Sequence, residues 1–437
     1  MAFIDYSYCF CYLARFGKYC GIYISMPSEI IVTELLETLR QAVAGDTAAI
    51  RRVRRLQPVG GPSDKVYPPT YSDGPYAEEE RVVDGRIVKT VLLDSVQSQA
   101  NRLELALLRA YREGSAKFPL LTVDFSLAAD PVVSELGELT ALETPHRIAD
   151  AIIRDSEWNG MDFRKSELGK KFESARSQNA TPLFELCPTA LLFGMWDSTG
   201  TRGGLGAKFA RAVVSEINGF GVIPGVRPSS RIDPLGIERN ATVYATPDGD
   251  WTIDSSLAAK DKKGNPQLYG KEGKPSEINH GNVTPTLKEE KTKSFRHGGV
   301  TLDYANQTTV LSLPALRRLQ FPIDGKVTSE RNLAAQIVLA ALALVAITSA
   351  DRDGYDLRSR CMLDGPTVPF EFLTAGVATP QEISFNQATA LLSAAVEAAS
   401  KHGLPWSTEP FVLRPKTKLQ DLIIKSRLSK SATPEEE

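Results

Sequence analysis

Cysteine is scarce in this chain and is not spaced for metal or for a disulfide framework: there are five in 437 residues, with no Cys-x-x-Cys pair. A stapled extracellular fold is excluded, and a reducing, cytoplasmic setting is expected. Net charge is also lacking. The formal value is only -2, which taken alone argues weakly against a nucleic-acid partner. Met1 to Ser25 is aromatic and holds three of the cysteines, but it has neither the basic start nor the continuous apolar run of a signal peptide. These 25 residues are read as an extension ahead of Met26. The one long apolar run, Leu333 to Ala350, lies at the short limit for a bilayer span and has no aromatic belt, so a buried core helix is expected and no membrane partner. Internal repeats are absent.

What is present is ordinary in amount and uneven in placement. The hydrophobic fraction of 42% is enough for a sizeable core. Charge is segregated: Arg51, Arg52, Arg54, Arg55 and Lys65 crowd the N-terminal part, and Arg202, Lys208, Arg211, Arg227 and Arg231 the middle. Between Asp124 and Glu143 lie five carboxylates and not one Lys or Arg. Alternating blocks of this kind suit a protein that grips an anionic polymer while touching protein neighbours.

Periodicity predicts a helix over Ser28 to Ala44, a strand over Arg86 to Leu93, and a helix entered at Asp94. In that helix Val96, Ala100, Leu103 and Leu107 form an apolar stripe, and Gln97 and Asn101 fall on a polar face. Asp94 is the expected cap, with Gln97 completing a capping-box-like pair. Strands are expected at Leu120 to Phe125, Val300 to Tyr304 and Thr308 to Leu313, and helices at Pro145 to Ser156 and Asn386 to Lys401. Arg352 to Arg360 reads as a basic loop that includes Arg358 and Arg360. A polar, Lys- and Gly-rich insertion is expected at about 246–296, and a frayed acidic tail at 431–437. Mixed strands and helices in irregular order indicate an α+β fold.

The segment Phe193 to Phe209 is the most informative. Its glycines, followed by Ala207 and Lys208, are read as a loop feeding a helix over Gly206 to Asn218, a device that favours an anion. Lys208 is followed by Phe209 rather than Ser or Thr, so the Walker pattern fails, and Phe209 stands where a dinucleotide loop has its third glycine. A phosphate cradle flanked by Arg202, Lys208 and Arg211 remains, with no nucleotide cofactor.

Three separated runs then match one pattern: Leu56 to Tyr71, containing Pro58-Val59-Gly60-Gly61-Pro62; Leu92 to Glu104, containing Asp94-Ser95-Val96-Gln97; and Trp196 to Lys208. Together with His297 to Tyr304 and Leu313 to Leu319, they resemble the backbone RAMP subunit of type I-U (also called type I-G) CRISPR-Cascade. The resemblance covers about Met26 to Pro415. It implies a modified RRM-like, ferredoxin-like palm with large insertions forming thumb and fingers. It also implies several copies stacked along one CRISPR RNA, contact with other Cascade subunits, and pairing to a complementary target DNA strand through the guide. No catalytic residue, metal or cofactor is carried over.

On that reading the RNA-contact candidates are Arg51, Arg52, Arg54, Arg55, Lys65, Gln97, Asn101, Trp196, Arg202, Gly203, Gly204, Lys208, Arg211, Arg227, Arg231, His297, Arg358 and Arg360. Some of the N-terminal arginines can instead pair with carboxylates of the same chain. Gln97 and Asn101 can touch sugars and phosphates or simply face solvent, and Trp196 can stack on a base or sit in the core. His297, beside Gly298-Gly299, supports one rival: a RAMP-type ribonuclease that processes CRISPR RNA.

Overall fold

The computed structural model describes residues 28–72, 76–199, 206–226, 228–287 and 298–430. A nine-stranded sheet organises them. Its main path runs through Tyr355–Arg358, Cys361–Asp364, Thr47–Pro58, Tyr304–Ser312, Val213–Phe220, Arg86–Asp94 and Glu78–Val83, while Phe370–Thr374 pairs with Thr47–Pro58 and with Val377–Gln381. All pairings in this sheet are antiparallel.

The strand Thr47–Pro58 carries the N-terminal arginines, and its period of two sorts them. Ile50, Arg52, Arg54 and Leu56 are buried; Val53 and Arg55 are exposed. The opposite strand keeps the same alternation, burying Ala305, Gln307, Thr309 and Leu311. Two helices cover this buried face. Val96–Arg112 lays Gln99 against the sheet, where its Oε1 accepts from Ser215 Oγ at 2.9 Å and Gln307 Nε2 at 3.0 Å. Ser329–Asp353 ends over the arginines and supplies Asp351.

Ser329–Asp353 is the apolar run expected from sequence. Thr328 caps it by accepting from Arg331 N, and Gly354, with φ of 74°, ends it. Among the described residues it is the one helix long and apolar enough to cross a membrane, but its sides are packed inside the protein: Ala335 to Ser349 are buried without a break. Helices Phe385–Ser400 and Ser28–Ala44 pack on it, so the apolar surface goes to the core.

The chain leaves the sheet after Phe220 and re-enters at Tyr304, one strand over. Short pairings occupy the excursion, Pro228–Arg231 with Val283–Leu287 and Tyr244–Ala245 with Trp251–Thr252, and the polar stretch expected at about 246–296 falls within it. A second, five-stranded sheet includes Leu121–Asp124 paired in parallel with Phe411–Pro415. The α+β expectation holds.

Four local expectations fail. Gly206 to Asn218 is not a helix: Lys208–Phe209 and Val213–Phe220 are strands, as β-branched residues at Val213, Val214 and Ile217 favour, and burial at Val213, Ser215 and Ile217 has period two. Pro145 to Ser156 breaks into a turn at Arg147–Ala149 and a short helix Ala151–Arg154, because Arg147 takes a left-handed φ of 54° and Asp150 caps a fresh start. The cap of Val96–Arg112 is Ser95, which accepts from Ser98 N, and not Asp94. Arg352 to Arg360 is likewise no plain loop, since Tyr355–Arg358 forms a hairpin with Cys361–Asp364.

Candidate nucleic-acid interface

Glycine builds the arm that carries the central cations. Met195–Trp196 and Lys208–Phe209 pair as a hairpin, and Asp197 N donates to Ala207 O at 2.9 Å to extend it. A Cβ at Gly206 would lie 2.1 Å from the Asp197 carbonyl oxygen, so only glycine permits this approach. Gly194, with φ of 78°, turns the chain into the arm. Asp197 anchors it through two bonds from Arg164, at 2.7 and 2.9 Å. Arg202, Gly203 and Gly204 lie outside the described residues.

Between this arm, the helix Val96–Arg112 and the turn at His146 lies an open groove of about 590 Å³. Gln97, Asn101, Trp196, Lys208 and Arg211 all line it, and all five are exposed. Trp196 is 56% exposed, which settles its place outside the core, and its ring centroid is 5.7 Å from Lys208 Nζ. Neither amide makes a side-chain hydrogen bond within the described residues, and both line the groove.

A buried ion pair supports the groove. Arg147 donates to both Glu104 oxygens, at 2.6 and 2.7 Å, and to Gly194 O at 2.8 Å, tying helix, turn and arm together. Burial pushes the Glu104 carboxyl up to about 7, with Arg147 and then Arg211 pulling the other way. Sequence reading missed Glu104, Arg147 and the exposed His146. One signal existed: Glu104 stands four residues after Ala100, on the apolar stripe, where a carboxylate needs a partner.

The other candidates are dispersed. Arg52 and Arg54 are 3% and 5% exposed and converge on Asp351, at 2.5 Å and 2.8 Å, and Arg54 also donates to Gly365 O, Pro366 O and the Tyr355 hydroxyl. The expectation that this pair faces a strand is corrected: its guanidiniums are spent inside the fold. Arg51 is half-buried against Glu371 at 2.7 Å, whereas Arg55 is exposed and stacks 3.9 Å over the Tyr304 ring. Lys65 donates to Val226 O, and Arg231 to the carbonyls of His280 and Gly281, so both brace the excursion. Arg358 meets the buried Asp94 at 3.4 Å, while Arg360 is exposed beside Tyr67. Arg227 and His297 lie outside the described residues. Among the described residues no cluster of His, Cys, Asp or Glu is placed to hold a metal ion.

The groove lies within a stretch that matches a known family model. Residues 50–224 match a CRISPR-associated family. Its description reads CRISPR-associated protein GSU0053 (Cas_GSU0053), and the match spans less than half of the chain. No curated protein matches. Every groove residue, from Gln97 to Arg211, falls inside this CRISPR-associated stretch, whereas Asp351, Arg358 and Arg360 lie beyond it.

Proposed function

We propose that this chain is an RNA-binding backbone subunit of a type I-U CRISPR effector complex, that it oligomerises along the guide RNA, and that it performs no cleavage. The observation that carries the reading is the convergence of Trp196, Lys208, Arg211, Gln97 and Asn101 on one groove. Cations for phosphates beside an aromatic plane for a base are the parts from which sequence-tolerant single-strand binding is built. The antiparallel sheet with Val96–Arg112 and Ser329–Asp353 on one face supports an RRM-like palm, and the excursion from Phe220 to Tyr304 supports a thumb-like insertion.

Binding of single-stranded RNA across a salt series tests it. Each phosphate neutralised on a single strand contributes about -0.7 to the logarithmic slope, so Lys208→Ala with Arg211→Ala should flatten the slope by about 1.4. RNA length on a denaturing gel should stay constant. A salt-independent affinity would sink the binding role, and shortened RNA would favour the ribonuclease.

A further inference from the structure

The groove holds two kinds of polar group, and phosphate binding uses only one of them. Lys208 and Arg211 are pure donors, as a phosphate requires. Gln97 and Asn101 each present a carbonyl oxygen as well as an NH₂, and a carbonyl oxygen turned toward a phosphate is repelled. The two amides stand one helical turn apart on the face that lines the groove. They have no local duty: Ser95 caps the helix, and the inner face is held by Gln99, Leu103 and Leu107. Asparagine in the exposed middle of a helix costs helix stability relative to alanine, so Asn101 is not explained by folding.

We infer that Gln97 and Asn101 recognise the ribose 2′-hydroxyl of a strand held by Lys208 and Arg211, and that they make the groove selective for RNA over DNA. A hydroxyl both donates and accepts, which matches an amide as a phosphate does not, and it is the group that distinguishes the two polymers. The inference rests on the RNA-binding reading above and adds the chemical feature that the site selects.

The test measures affinity of the wild-type chain, Gln97→Ala, Asn101→Ala and the double variant. The probes are a single-stranded RNA, the DNA of the same sequence, the 2′-O-methyl RNA, and an RNA of unrelated sequence. Alanine at both positions favours the helix, so the variants should fold, as circular dichroism will check. Wild type should bind both RNAs more tightly than the DNA or the methylated strand. Each single variant should lose about fivefold on RNA, in line with one hydrogen bond, and nothing on DNA. Equal losses on RNA and DNA would overturn the inference while leaving RNA binding intact. A loss on one RNA sequence alone would also overturn it, in favour of base-edge contacts. If wild type binds no strand at all, it is the underlying RNA-binding reading that fails.

Discussion

The Arg147 guanidinium holds both carboxylate oxygens of Glu104 and, through a third bond, the Gly194 carbonyl. One buried side chain thus fixes the distance between the groove helix and the arm that bears Trp196 and Lys208. Its partner sits where desolvation competes with pairing.

That competition gives a pH signature. The Glu104 carboxyl, raised from 4.5 to about 7, binds its proton more tightly in the folded protein than in the unfolded one. Its contribution to stability is therefore full below about 4.5 and is lost as pH rises to about 7. Denaturation from pH 4.5 to 8 should show wild type losing stability relative to Glu104→Gln over that window. A wild-type advantage that grows with pH would mean that the ion pair outweighs burial.

Arg54→Ala should act on folding. The change takes one of two guanidiniums from Asp351, which keeps Arg52, and removes the donor to two carbonyls and to the Tyr355 hydroxyl; breaking a buried pair costs about 3–5 kcal/mol. Arg55→Ala, at an exposed position, should cost no more than about 0.5 kcal/mol. Urea melts of the two variants would reveal the contrast, and equal stabilities would contradict the burial of Arg54.

Trp196→Ala should have the opposite profile. More than half of the ring is exposed, so the melting temperature should hardly move, while RNA affinity falls by about 1–3 kcal/mol if a base stacks there. A large drop in melting temperature would return Trp196 to a structural role.

Gly206→Ala tests the arm by shape alone. The new Cβ would collide with the Asp197 carbonyl, and relief requires the two strands to separate near Lys208. RNA binding should weaken although no charge changes, and proteolysis near the arm should quicken. Unchanged binding would show that the hairpin spacing does not matter to the site.

How far the sequence could be read depended on the range of the interaction. Helices Ser28–Ala44 and Ser329–Asp353 were legible because a local apolar pattern sets them. Gln97, Asn101, Lys208 and Arg211 were legible as candidates by residue type, but their meeting in one groove depends on a hairpin that glycine-rich spacing disguised as a helix start. Arg52 and Arg54 misled because Asp351 lies some three hundred residues away, and no local signal ties a strand to a partner at that distance. Trp196, preceded by Gly194 and Met195, could be read as a stacking residue or as core, and the pairing with Lys208 places it at the surface.

The arginine strand also carries a check on its own alignment. Arg51, Arg52, Val53, Arg54 and Arg55 read the same in both directions, with Val53 at the centre. Only with Arg52 and Arg54 turned inward does Asp351 receive two guanidiniums. A slip by one residue either way puts Val53 beside one arginine at those places, leaving the carboxylate half-neutralised against a methyl-bearing neighbour. The palindrome therefore penalises insertion and deletion alike, so this strand should tolerate substitution at Arg51 or Arg55 far better than any change in its length.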